Sequence, residues 1–70
     1  MKIRVKKTEY QGLNNSIKSI LAEFGEVSET KNYFVCQVMP HIRMLLNDEN
    51  SHFSTRLRQL RGFSSVEESP

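Results

Sequence analysis

Few side chains in this 70-residue sequence are of the types that carry out catalysis or bind metals. Cys36, His41 and His52 are its only cysteine and histidines, and they lack the short paired spacings of a zinc site. Cys36 and His41 could form a nucleophile pair, but nothing close to them in sequence orients or activates a thiolate. A lone cysteine in an apolar run is usually buried. The sequence therefore predicts no metal site and no catalytic residue here.

Asp48 and Glu49 are the remaining candidates for acid–base chemistry. Adjacent acids in the segment NDENS are more typical of a turn before a helix than of paired catalytic carboxylates. No two of the three glycines share a phosphate-binding loop. We therefore expect that the chain is not an enzyme and uses neither a cofactor nor a small-molecule substrate.

Basic residues are concentrated near both ends of the chain, although the formal net charge is only +2. Residues 1 to 7 and 56 to 61 hold several lysines and arginines and no acid. Such clusters attract phosphate groups, but others only keep a small protein in solution, and both interpretations stay open. The candidate contacts to DNA or RNA are Lys2, Arg4, Lys6, Lys7, Lys18, Arg56, Arg58 and Arg61.

The length and composition also restrict the class of protein. A chain of 70 residues makes at most one domain, and 37% hydrophobic residues are more than a disordered chain carries. The single cysteine excludes an internal disulfide, and no apolar run approaches the ~18 residues of a membrane span. The opening MKIRVKK is not followed by the apolar region of a signal peptide. We expect a cytoplasmic protein without a membrane partner.

The clearest periodicity lies between Leu13 and Gly25, where apolar residues recur with the spacing of one helix face. Thr8 and Gln11 have the spacing of a capping box, and Gly25 can end a helix, so we predict a helix over residues 9 to 24. Its apolar stripe is either part of the core or the seam of a homodimer. The stripe consists of Leu13, Ile17, Ile20, Leu21 and Phe24.

The segments on either side of this helix have weaker patterns. Met1, Ile3 and Val5 alternate with basic residues as in a strand, but no second clean strand is evident. We expect an extended or frayed N-terminus, or an early extension of the helix. Residues 25 to 32 look like a polar connector. The composition of residues 33 to 39 favours a strand and their position favours a helix, and we predict a helix.

The C-terminal half predicts further helical structure. Pro40 either kinks a helix or begins a new one, and Ser51 can cap a last helix over residues 52 to 61, with Gly62 ending it. The final segment SSVEESP is polar and is expected to be disordered. The predicted fold class is therefore all-α: a two- to three-helix module over residues 1 to 62, with an extended N-terminus and a disordered polar tail over residues 63 to 70.

The stretch LNNSIKSILAEFG resembles a segment that follows the nuclease domain in one class of insertion-sequence transposase. These transposases carry a RuvC-like DEDD nuclease domain and are guided by a bridge RNA, and their segment reads much like L-I-N-Q-L-R-G-L-L-A-E-F-G. The agreement, by identity or close type, is at Leu13, Asn15, Ile17, Lys18 and residues 20 to 25. A looser similarity consists of Pro40, Leu45, Leu46, Asp48, Glu49 and Asn50.

The resemblance spans roughly residues 5 to 60 and implies the helical connector of such a transposase. The family's four catalytic carboxylates and its nucleophilic serine lie outside the matching region, and the residues after Leu60 read like the end of a truncated or frameshifted reading frame. The implied function is an inactive transposase fragment that self-associates and binds nucleic acid weakly. The alternative is an independent small helical regulator of phage or plasmid type that binds DNA, RNA or protein.

Overall fold

The computed structural model describes residues 1 to 70 and contains both helices and strands. The elements, in chain order, are β1 (Lys2–Lys6), α1 (Gln11–Phe24), β2 (Gly25–Glu29), β3 (Tyr33–Val38), α2 (Pro40–Leu45), α3 (His52–Phe63) and β4 (Val66–Ser69).

The four strands form one antiparallel sheet in the order β2-β3-β1-β4. Helix α1 carries the chain from β1 past β3 to β2, and α2 with α3 carries it from β3 past β1 to β4. The two strands joined by each helical connection are therefore not neighbours in the sheet. Strand β3 lies between β1 and β2, and β1 lies between β3 and β4. This topology is the split β-α-β arrangement of ferredoxin-like folds, which by itself says nothing about function.

The helices pack on one face of the sheet and leave the other face uncovered. Side chains alternate between faces along a strand, so the alternating burial of β1 and β3 assigns their buried residues to the helical side. The resulting core consists of Ile3, Val5, Ile17, Ile20, Leu21, Phe24, Phe34, Cys36, Val38, Ile42, Leu57 and Leu60.

The predicted all-α fold is wrong because four segments pair as strands. Residues 33 to 38, predicted as helix, form β3 beside β1 at the centre of the sheet, in keeping with their aromatic and β-branched content. Residues 25 to 29, predicted as part of a connector, form β2. The alternation at the N-terminus is that of a real strand, β1, which has a partner on each side.

The predicted disordered tail is also wrong, because Val66–Ser69 forms β4 and pairs with β1. Residues 66 to 69 therefore belong to the folded unit, which was predicted to end at residue 62. Gly62 does not end the last helix, which continues to Phe63.

The helices predicted over residues 9 to 24 and 52 to 61 are confirmed as α1 and α3, with corrections at some of their ends. Helix α1 begins at Gln11, and its N-cap residue Tyr10 makes no side-chain capping bond, so the predicted capping box is absent. The buried amide of Asn14 instead accepts a hydrogen bond from the Thr8 backbone N–H (2.7 Å) and donates one to the Thr8 carbonyl (3.0 Å). The predicted cap of α3 is confirmed: the Ser51 hydroxyl accepts from the Ser54 backbone N–H at 3.1 Å.

Helix α1 passes into β2 without a connecting residue, and Gly25 makes this junction possible. A Cβ atom at Gly25 would lie 2.0 Å from the Gln37 carbonyl oxygen and 3.3 Å from the Met39 backbone nitrogen. The Met39 backbone nitrogen donates a hydrogen bond to the Phe24 carbonyl at 2.9 Å, so the end of α1 is held against the end of β3. Only a residue without a side chain fits here unless the β3 backbone moves.

We expect Gly25→Ala to lower the free energy of unfolding by about 1–3 kcal/mol, as at other overpacked positions. Gly12→Ala is the matched control, since a Cβ at Gly12 meets nothing within 4 Å and the residue lies in α1. The control should raise the free energy of unfolding by up to ~1 kcal/mol. Urea denaturation followed by circular dichroism measures both, and equal effects of the two substitutions would contradict the steric account of the junction.

Candidate nucleic-acid interface

The uncovered face of the sheet presents the first three of the predicted phosphate-binding residues. Ile3 and Val5 on β1 are fully buried, so the residues that alternate with them point to the opposite face. We call this surface the open sheet face. By strand register it consists of Lys2, Arg4, Lys6, Glu26, Ser28, Tyr33, Val35, Gln37, Glu67 and Ser69.

Arg4 lies at the centre of the open sheet face and contacts both neighbouring strands. Its Nε donates a hydrogen bond to Glu67 Oε2 at 2.6 Å, and its guanidinium carbon lies 4.3 Å from the centroid of the Tyr33 ring. Both members of the ion pair are about half exposed, so the pair contributes at most about 1 kcal/mol. Its main consequence is geometric, because it holds the guanidinium plane over the tyrosine ring.

Lys2 and Lys6 lie on either side of Arg4 and form no ion pair within the chain. Residues two apart on an antiparallel strand are separated by about 6.8 Å, so the three cations form a straight row on a central strand. Glu26 and Glu67 are the only carboxylates on the same face. The open sheet face is therefore weakly cationic, and two of its charges are free to meet an anion.

Lys7 and Lys18, also predicted to contact nucleic acid, belong to a different surface around Glu29. The Lys7 ammonium lies 2.6 Å from Glu29 Oε2 and 5.2 Å from the centroid of the Phe34 ring, and Lys18 lies 3.6 Å from Glu29 Oε1. The hydrogen bond and the charge of Lys7 lower the pKa of Glu29, and Lys18 adds to this effect. These two cations are already paired.

The three predicted arginines of α3 do not share one face. Arg56 turns towards α1, where its Nε lies 3.3 Å from Glu23 Oε2 without hydrogen-bond geometry, so the contact is an ion pair only. Its Nη1 donates to Gln59 Oε1 at 2.9 Å. Arg58 and Arg61 instead line a cavity beside α2. The eight predicted residues are thus divided among separate surfaces.

The apolar stripe of α1 lies inside the chain's own core. Ile17, Ile20, Leu21 and Phe24 are buried against the sheet and α3, and Leu13 is partly buried against them. The packing thus supports the core interpretation of the stripe. A homodimer of the intact fold would have to use another surface.

The residues considered for catalysis and metal binding lie apart. Cys36 is fully buried, its thiol donates a hydrogen bond to the Leu21 carbonyl at 3.2 Å, and burial raises its pKa from 9.0 to about 11. His41 is exposed on α2, and His52 Nε2 lies 2.7 Å from Glu23 Oε1. No group of three or more His, Cys, Asp or Glu side chains lies close enough to hold a metal ion.

Two side chains on these surfaces were missed by the sequence analysis. Tyr33 joins the open sheet face because β3 pairs with β1, and its segment had been predicted as helix. Arg43, on α2, lines the same cavity as Arg58 and Arg61. The aromatic and β-branched composition of residues 33 to 38 was the available signal for Tyr33, whereas no local pattern points to Arg43.

Comparisons with known proteins do not identify a family or a relative for this chain. The chain matches no protein-family model, no curated protein and no solved structure. None of its helices has the length and apolar character required to cross a membrane.

We expect the Cys36 thiol of the folded protein to react with iodoacetamide at pH 8 at least ~100-fold more slowly than the urea-unfolded chain, because burial lowers the thiolate fraction and blocks access. The same pKa shift predicts a pH dependence of stability. The neutral thiol stabilises the fold fully below about pH 9, and this contribution is lost as the pH rises towards about 11. Alkylation of the folded chain at the unfolded rate would place Cys36 at the surface.

Proposed function

We propose that this chain is a non-catalytic nucleic-acid-binding module whose open sheet face contacts the backbone of a single strand. The observation that carries the proposal is the row of Lys2, Arg4 and Lys6 on a central strand, with no helix over it. Sheets of this kind bind single strands by laying the backbone along a cationic surface and the bases on flat side chains. The unpaired Lys2 and Lys6 supply the charge for such contacts.

The stacking surface offered to bases is small. Tyr33 is the only aromatic residue on the open sheet face, and the Arg4 guanidinium already covers one side of its ring. A base can stack on the guanidinium plane itself, since arginine planes stack on bases as aromatic rings do. With no further aromatic residue and few side chains to read base edges, binding should be independent of sequence and weak, with a Kd of ~10⁻⁴ to 10⁻⁶ M at physiological salt.

The resemblance of residues 13 to 25 to a transposase segment also favours nucleic acid as the partner. That the chain derives from a transposase is a hypothesis. The helical connector that the resemblance implied is not the fold of this chain, since residue 25 begins a strand. Our proposal is an inactive transposase remnant that acts in the cytoplasm, and the alternative is an independent regulator of phage or plasmid type. Translating the upstream DNA in all frames distinguishes them, because only the remnant should follow sequence that encodes a nuclease domain with spaced Asp and Glu residues.

The test of the open sheet face compares two double variants of equal net charge. Lys2→Gln/Lys6→Gln removes its two unpaired cations, whereas Lys18→Gln/Arg56→Gln removes two predicted contacts that lie on other surfaces. Fluorescence anisotropy with a poly-uridine oligonucleotide at several salt concentrations measures affinity. The wild-type log–log salt slope should be about −2 for three phosphate contacts, and the Lys2/Lys6 variant should be shallower by about 1.4.

The Lys18/Arg56 variant should keep at least half of the wild-type affinity. Equal weakening of both variants would show that only net charge matters. Wild-type binding that survives in the Lys2/Lys6 variant, or the absence of binding by the wild type, would remove the open sheet face from the functional account. Circular dichroism of each variant establishes that the fold is retained.

A further inference from the structure

A second cationic surface lies where α2 and α3 meet the end of β4. An open cavity of about 580 Å³ is lined there by the guanidinium-bearing side chains of Arg43, Arg58 and Arg61. Small-molecule sites commonly measure ~300–1,000 Å³, so the cavity has room for a ligand of nucleotide size. We call it the arginine cavity.

The backbone places the three arginines next to one another. Arg58 and Arg61 are three residues apart on α3 and therefore lie on the same side of that helix. Arg43 comes from the last turn of α2. The buried Ser54 hydroxyl donates to the Asp48 carbonyl at 2.7 Å and lies 3.3 Å from the Leu46 carbonyl, so it ties the α2–α3 connection to α3.

Most of the hydrogen-bond donors in the arginine cavity have no strong acceptor within the protein. Arg43 makes no ion pair and no side-chain hydrogen bond, and Arg58 makes only contacts of 3.2 Å to Thr55 Oγ1 and of 3.4 and 3.5 Å to the Glu49 carbonyl. Arg61 uses one nitrogen, Nη2, which lies 2.9 Å from Glu68 Oε2. One guanidinium group without a partner, that of Arg43, and two partly bonded ones, those of Arg58 and Arg61, therefore line one cavity.

We propose that the arginine cavity binds a phosphate monoester, with Arg43 and Arg58 as its main ligands and Arg61 as a third donor. The planar fork of a guanidinium group matches two phosphate oxygens, and a dianionic phosphate can accept from several forks at once. Glu49 and Glu68 also line the cavity, and the Glu68 carboxylate forms an ion pair with Arg61. This mixed lining favours one compact phosphate group over a long polyanion, and none of the three arginines belongs to the open sheet face.

Isothermal titration calorimetry with inorganic phosphate and with adenosine monophosphate tests the proposal. Both should bind the wild-type protein saturably, and Arg43→Gln/Arg58→Gln should weaken both by at least ~10-fold, since even one charge-assisted hydrogen bond is worth that much. The variant loses no ion pair and only the Arg58 hydrogen bonds to Thr55 and Glu49, so it should keep the wild-type fold, as circular dichroism would establish. Lys18→Gln/Arg56→Gln has the same net charge, lies outside both surfaces and should bind both ligands as the wild type does.

No saturable binding by the wild type, or equal binding by the Arg43/Arg58 variant, would overturn the proposal. Two sources of the phosphate monoester are separated in the Lys2→Gln/Lys6→Gln background, where the open sheet face cannot mask the result. A 5′-phosphorylated tetrathymidylate that binds at least ~10-fold better than its 5′-hydroxyl form and than adenosine monophosphate would identify the end of a nucleic-acid strand. Equal binding of the phosphorylated oligonucleotide and the mononucleotide would identify a free nucleotide.

Discussion

The direct passage of α1 into β2 at Gly25 is the constraint on which the rest of the fold depends. Because no loop separates the two elements, the last turn of α1 fixes the position at which β2 begins. The close approach of Gly25 to the Gln37 carbonyl then fixes β3 beside β2. Phe24 is thereby held fully buried over the sheet, with its ring 5.8 Å from that of Phe53 on α3. A side chain at position 25 would disturb the hairpin and the seating of both helices at once.

Helices could be predicted from this sequence and the sheet could not, for a physical reason. The stripe from Leu13 to Phe24 and the cap at Ser51 are local signals, and the corresponding helices are present. Strand β1, in contrast, acquires its hydrogen bonds from distant segments, since its partner β3 lies about 30 residues away and its partner β4 about 60. The alternation of Ile3 and Val5 was visible, but the partners β3 and β4 lay in segments predicted as helix and as disordered tail.

The same limit applies to the candidate surfaces. The basic residues of β1 could be picked out by type, but whether they share a surface with Tyr33 depends on strand register. The arginines of α3 form one basic cluster in the sequence, but the helix directs Arg56 to Glu23 and Arg58 into the arginine cavity with Arg43. The sequence shows which residues are charged. Whether a charged side chain has an ion-pair partner depends on tertiary packing.

The central position of β1 links folding to the proposed binding surface. Ile3 and Val5 point into the core while the cations between them point outward, and a one-residue slip of the strand would exchange the two sets. Because Ile3 and Val5 are fully buried and β1 is paired on both sides, such a slip would expose apolar side chains and bury lysines. The core therefore enforces the spacing and direction of the basic row. The backbone of such a surface needs no ordering when a partner binds, so the entropic cost of binding comes mainly from fixing the lysine side chains.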